Sequence, residues 1–189
     1  MLSDRFDSLR ITLEAAAEPH ALVVVAGGRE RDGADVVAHG IARAFAATGV
    51  RVALVSGRVQ ATIDRDVTAV SMASLQSISG ARLTERFEKL RADFDVVLFA
   101  LPNVFERSFD AEITRRSDGV VLTVELGRRV TARDSEIRAM LDRLSTHVFG
   151  VVTTNPDLRV QATTVPMSAG RNAAYKTQPG AQIIEKIRA

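Results

Sequence analysis

The chain has 189 residues, 46% hydrophobic and 25% charged, with no cysteine, no tryptophan, one tyrosine and a formal net charge of +2. That balance suits one well-buried soluble domain, excludes a disulfide frame or thiolate metal site, and fits a reducing compartment. No apolar run approaches the ~18 residues of a bilayer span, so direct membrane insertion is not expected. The start Met1-Leu2-Ser3-Asp4-Arg5 leads into a helical pattern rather than a signal core. Arginines are interleaved with acids and aromatics are scarce, which speaks against nucleic acid as a partner.

In chain order, Phe6, Leu9 and Leu13 recur at helical spacing over 3–17, with Ser3 available as N-cap and Pro19-His20 as the stop. The all-apolar run 21–26 reads as a buried parallel strand, and 27–33 as a loop. Val37, Ile41, Ala44 and Phe45 give the next segment, 34–48, one apolar face, closed by Gly49. A second strand is expected over 50–55, while 56–80 is polar, mixed and unassigned. A helix over 83–92, a strand over 95–101 and a helix over 105–116 follow. Beyond Ser117-Asp118-Gly119 comes a strand over 120–126. Thr131 and Asp134 then open a helix with a capping-box pattern, and a fifth strand is expected over 148–152. The 156–189 tail is irregular, with an apolar face at Ile183, Ile184 and Ile187. Alternation of this kind predicts a single α/β domain, a doubly wound and mostly parallel sheet with its core at about 20–155.

The first strand–loop–helix carries the chemistry. A phosphate loop reads G-x-x-x-x-G-K-[ST] between a strand and a helix: backbone N–H groups cradle phosphate, Lys reaches the β- and γ-phosphates, and the hydroxyl holds Mg²⁺. Gly28 and Gly33 have that spacing and context, but Ala34 stands at the Lys position and Asp35 at the hydroxyl position. Arg29 and Arg31 could return some positive charge. Arg128 and Arg129 follow a strand's carboxyl end, where such sheets place ligands, though a solvated loop pair is the plainer reading. His20, His39 and His147 are scattered and suggest no metal or catalytic set.

The stretch 21–60 resembles the opening of MinD/ParA-like ATPases and, more closely, the cytoplasmic domain of bacterial tyrosine kinases. That family acts as co-polymerase and chain-length partner in capsular and exopolysaccharide export. Its E-x-x-R-x-x-R helix is matched by Asp4, Asp7 and Arg10, with Asp7 in place of the middle Arg. Its second Walker strand, ending D-x-D, falls on Val52–Arg58, with Ser56 and Arg58 at the two acids. Its Walker B strand falls on Phe94–Asn103, keeping Asp95 and Pro102 but carrying Ala100 at the Mg²⁺-linked acid. Further matches are 117–124 and Gly150-Val151-Val152, so the resemblance spans about 3–155. Where that family ends in a tyrosine cluster, this chain has Tyr175 alone.

The resemblance implies a P-loop NTPase fold, and its chemical substitutions imply a pseudoenzyme with no bound cofactor, neither an ATPase nor an autokinase. The expected role is protein–protein interaction at the cytoplasmic face, with a membrane chain-length regulator or polymerase of a polysaccharide (capsule, or adhesin of holdfast type) export system. With Asp7 reversing one contact of the family's ring, a monomer or dimer is expected in isolation. The alternatives are a divergent MinD/ParA-like ATPase holding nucleotide through Arg29, Arg31 or Arg128, and a scaffold for polar or division-site positioning.

Overall fold

In the computed structural model, which describes residues 3–17, 19–57 and 66–155, the apolar run after Pro19 forms β1 (Ala21–Gly27), buried along its whole length. Its side chains alternate between two cores. Ala21, Val23 and Val25 enter one with Leu54, Leu98, Val121 and Val152. Leu22, Val24 and Ala26 enter the other with Val55, Val97, Phe99 and Val120. A strand buried on both faces needs helices on both faces, which is why its sequence shows no polar alternation.

Five further strands complete the sheet: β2 (Val52–Ser56), β3 (Val67–Ser71), β4 (Val96–Leu101), β5 (Gly119–Glu125) and β6 (Val148–Thr154). Their order is β3-β2-β4-β1-β5-β6, and every pairing is parallel. One face is covered by α1 (Ser3–Ala16) and α2 (Ala34–Ala46), through Phe6, Leu9, Leu13, Val37, Ile41 and Phe45. The other is covered by α3 (Met72–Gln76), α4 (Ala81–Asp93), α5 (Ser108–Arg116) and α6 (Ala132–Arg143), whose core residues include Leu75, Phe87, Ile113 and Ile137. The expected parallel, doubly wound sheet is therefore present. The chain leaves central β1 toward one edge and later crosses back to β5, placing the β1–α2 loop where such sheets bind ligands.

Several boundaries differ from the sequence reading. The unassigned stretch contains edge strand β3, whose pattern is only partly apolar because a sheet edge is half-exposed, and the short α3. Strands β2 and β4 begin at Val52 and Val96 because Arg51 and Asp95 pair just outside them, Arg51 Nη2 lying 2.7 Å from Asp95 Oδ1. The helix expected from Phe105 begins only at Ser108. Phe105 has φ of 62°, and the Arg107 N–H donates to the Asp110 carboxylate at 3.3 Å, capping the helix there. Strand β6 extends to Thr154. Ser3 lies within α1 rather than before it.

Gly40 decides how α1 seats on α2. A Cβ there would stand 2.2 Å from Phe6 Cζ, so the ring of Phe6 lies directly on the α2 backbone. Gly119 plays the same part between β5 and β6, where a Cβ would meet Phe149 Cε2 at 2.6 Å.

Candidate functional site

β1 delivers Gly28 to the carboxyl edge of the sheet, and the chain then makes a 3-10 turn over Glu30–Asp32 before Gly33 opens α2. Gly33 has φ of 75°, left-handed backbone in which a side chain is strained, and a Cβ there would also meet Thr154 Cγ2 at 3.2 Å. The glycine pair and the strand–loop–helix context thus stand as the motif requires.

Three of the loop's backbone donors are turned into the loop itself. The N–H of Asp32 donates to Arg29 O at 3.0 Å, and that of Gly33 to Glu30 O at 3.4 Å. The Arg29 N–H donates to Asp32 Oδ2 at 3.0 Å. These bonds close the loop on itself, spending groups that would cradle a phosphate.

Asp32, which sequence reasoning passed over, is the centre of the site. Its side chain is 0% exposed, and Oδ1 accepts the Glu125 N–H at 3.1 Å and Arg128 Nε–H at 3.0 Å. Arg128 Nη2 also approaches Oδ2 at 3.5 Å. Arg128, 9% exposed, reaches onward to Asp134 with Nη1–Oδ2 at 2.8 Å and Nη2–Oδ1 at 2.5 Å. Asp134 Oδ2 accepts the Thr131 N–H at 2.7 Å and its hydroxyl at 2.9 Å, which starts α6 as the capping-box spacing anticipated. The Arg128 guanidinium holds the Asp134 carboxyl far below the usual carboxylate range, and hydrogen bonding to Asp134 raises Arg128 in turn. A carboxylate–guanidinium–carboxylate bridge therefore runs from the loop to α6. The solvated loop pair expected at 128 and 129 is corrected for Arg128, which is part-buried and committed to two carboxylates; Arg129 is exposed.

Ala34 is fully buried. Asp35 is half-buried; its Oδ1 has no hydrogen-bond partner, and burial pushes its carboxyl pKa up. Ser56 ends β2 and is buried, Ala100 is buried within β4 opposite Val25, and Arg58 lies outside the described residues. A Cβ on Gly28 would stand 2.9 Å from Ile137 Cδ1, so α6 leans onto the loop. Arg29 is exposed and donates to Thr131 Oγ1 at 3.1 Å, and Arg31 is exposed. Among the described residues no group of three potential metal ligands converges. Tyr175 and Ile183, Ile184 and Ile187 lie outside them.

On α1, Arg10 is turned inward along its own helix. Its Nη1 contacts both Glu14 oxygens at 2.7 and 2.6 Å, and Nε lies 3.8 Å from Asp7 Oδ1. Asp7 and Arg10 thus face each other within one helix, and the Asp4 side chain is outside the described set.

Three large apolar side chains stand out on elements bordering the loop. Val36 in the first turn of α2 is 52% exposed, and Leu126 and Val130 on the β5–α6 connection are 53% and 82% exposed. That connection is held at both ends, by Leu126 N–H to Thr154 O at 2.7 Å and by the Arg128 bridge. No described helix is long and apolar enough to cross a membrane.

Neither a protein-family model nor a curated protein matches the sequence. Solved structures do match in fold. The kinase domain of the Escherichia coli tyrosine kinase ETK aligns over 88% of this chain and 79% of its own, with TM-score 0.67 and 14% identity. The BceF tyrosine kinase domain aligns over 82% and 75%, with TM-score 0.62 and 18% identity. The MinD cell division protein of Aquifex aeolicus aligns over 70% and 68%, with TM-score 0.53 and 14% identity. At these identities the likeness speaks for architecture: the chain has the P-loop NTPase fold, in the form seen in bacterial tyrosine kinase domains and MinD-type proteins.

Proposed function

We propose that this chain is a catalytically inactive P-loop-fold protein that works by binding protein partners in bacterial exopolysaccharide synthesis or export. The observation that carries this is the buried Asp32 carboxylate inside the phosphate loop, held by Arg128 and by the N–H groups of Arg29 and Glu125. Phosphoryl transfer is positioning and charge stabilisation, and it needs inward-facing donors, a Lys, a Mg²⁺-holding hydroxyl and an acid. Here a turn engages three of the loop's donors, and Ala34, Asp35 and Ala100 occupy the other places.

Magnitudes favour inactivity over weakened binding. Losing the Lys removes a charge-assisted bond of about 1.5–3 kcal/mol. A carboxylate about 4 Å from a phosphate adds repulsion on the order of 4 kcal/mol at an effective dielectric of 20. Together these move a micromolar nucleotide site past the millimolar range. The alternative ATPase reading loses its best cation, since Arg128 already serves two carboxylates.

The polysaccharide role rests on the resemblance to bacterial tyrosine kinases, with which the fold likeness agrees. Its partner would be a membrane chain-length regulator or a polymerase, met at the cytoplasmic face. The exposed Val36, Leu126 and Val130 around the disused loop suit a protein contact. Calorimetric titration with Mg-ATP and Mg-ADP tests the proposal: no saturable heat up to millimolar nucleotide is expected, and a micromolar isotherm would refute it.

A further inference from the structure

The chemistry around Asp32 is that of an occupied anion site. Two backbone N–H groups, from Arg29 and Glu125, and one buried guanidinium converge on a single carboxylate that is wholly removed from solvent. They come from three parts of the chain: the loop, the end of β5 and the β5–α6 connection. Convergent N–H and guanidinium donors are the usual means of holding a phosphate or sulfate oxygen.

We propose that the loop's oxyanion site has been internalised rather than erased: Asp32 is a covalently attached substitute for the anion, and the donors beneath it can take one free phosphate or sulfate group once the carboxylate is removed. This rests on the reading that the natural protein binds no nucleotide, and adds how the site is filled and which ligand class it retains. A resident anion needs no supply, so the loop, β5 and the α6 start stay tied together at all nucleotide concentrations. The connection bearing Leu126 and Val130 is thereby fixed without a ligand.

Ile137 Cδ1 crowds the loop at Gly28, where a Cβ would stand 2.9 Å from it. The Asp35 carboxylate, unpartnered at Oδ1, follows Gly33 and Ala34 at the start of α2. Asp134 stays on the adjoining edge of the Arg128 guanidinium, sharing Nη2 with the Asp32 position, and keeps part of its charge occupied, so modest affinity is expected.

The test uses thermal melts of the full chain and of Asp32→Ala, in sodium phosphate, sodium sulfate and sodium chloride at equal ionic strength. Asp32→Ala should melt lower in chloride and recover saturably in phosphate or sulfate, by about 2–4 °C at several-fold excess over Kd. The natural protein should gain only the small, unsaturating rise that these salts give any protein. Asp32→Ala/Arg128→Ala should lose the saturable response, and ATP should stabilise Asp32→Ala no better than phosphate does. Should Asp32→Ala be unfolded in chloride, folding restored by phosphate is the supporting result. A variant equally unfolded in both salts, or one showing no saturable difference from the double variant, overturns the proposal. A flat phosphate response with no nucleotide binding by the natural protein would sink the latent site alone; nucleotide binding by the natural protein would sink the inactive reading itself.

Discussion

Arg128 Nε lies 3.0 Å from Asp32 Oδ1 across 96 residues of chain, and this bond joins the start of the fold to its far half at the mouth of the sheet. Removing one member of a buried ion pair leaves the other uncompensated, at a cost of about 3–5 kcal/mol. Arg128→Ala should therefore lower the unfolding free energy by roughly that amount, read as a fall in denaturant midpoint with unchanged slope. The neighbouring Arg129→Ala, on an exposed side chain, should stay within about 0.5 kcal/mol of the parent. Equal effects at the two positions would show that the bridge contributes little.

Gly40 offers a test of packing. Glycine inside a helix is ordinarily improved by alanine, by about 1 kcal/mol. Here the added methyl would enter the Phe6 ring, with the nearest ring atoms 2.2–2.5 Å away. Gly40→Ala should destabilise by about 1–3 kcal/mol, as overpacking does. In a Phe6→Ala background the same change should become neutral or favourable. A double-mutant cycle measures that coupling, and additivity would mean α1 does not seat as described.

Two classes of carboxylate give opposite pH signs. Asp134, depressed chiefly by its hydrogen bonds from Arg128, and Asp95, held down to about 2 chiefly by its hydrogen bonds from Arg51, are lower in the folded state than unfolded. Their contribution is complete above the unfolded value near 4 and is lost as pH falls through that window toward 2 and below. The Asp95 side chain is more than a third exposed, against 21% for Asp134, so most of the acid sensitivity should trace to Asp134. Asp35 is raised by burial, so its ionisation at neutral pH opposes folding. Asp35→Asn should raise Tm at pH 7, with the gain shrinking toward pH 4. A loss at pH 7 would mean that the carboxylate has a partner in solution.

For α1, Arg10 is engaged by Glu14 and faces Asp7 on the same helix. An arginine neutralised along its own helix has little left to offer a neighbouring protomer, so a monomer or dimer is expected from light scattering coupled to size exclusion. A stable octamer at micromolar concentration would contradict it.

The strands were legible because a parallel strand buried on both faces is written as an unbroken apolar run, as in Ala21–Ala26 and Val96–Leu101. Edge strand β3 was not, since exposure on one side mixes polar residues into it. The substitutions at Ala34 and Asp35 could be read from motif spacing alone. What fills the loop could not: Asp32 is one acid among 23, and its partner is distant in sequence. The only local signal was the three-residue offset from Arg29, the spacing by which Asp134 caps α6 at Thr131 and Asp110 caps α5 at Arg107. Phe6 over Gly40 was equally silent, because helical periodicity reports which face is buried but not where two helices touch.

Restoring the motif on paper should not restore binding. Ala34→Lys with Asp35→Thr recreates the sequence G-x-x-x-x-G-K-T, yet Ala34 is wholly buried and the new Lys would have to displace packed atoms to reach a phosphate. The N–H groups of Asp32 and Gly33 remain bonded to Arg29 O and Glu30 O. Asp32 still holds the Arg29 N–H and the Arg128 guanidinium, and freeing them would break that ion pair. Ala100 offers Mg²⁺ no carboxylate. The double variant should therefore bind Mg-ATP no more tightly than the parent, with no hydrolysis above background in a phosphate-release assay. It should also be less stable than the parent, because a Lys has been forced into the core. Micromolar Mg-ATP affinity in that variant would show that the two side chains alone had been lost, and that the self-filled loop yields readily to nucleotide.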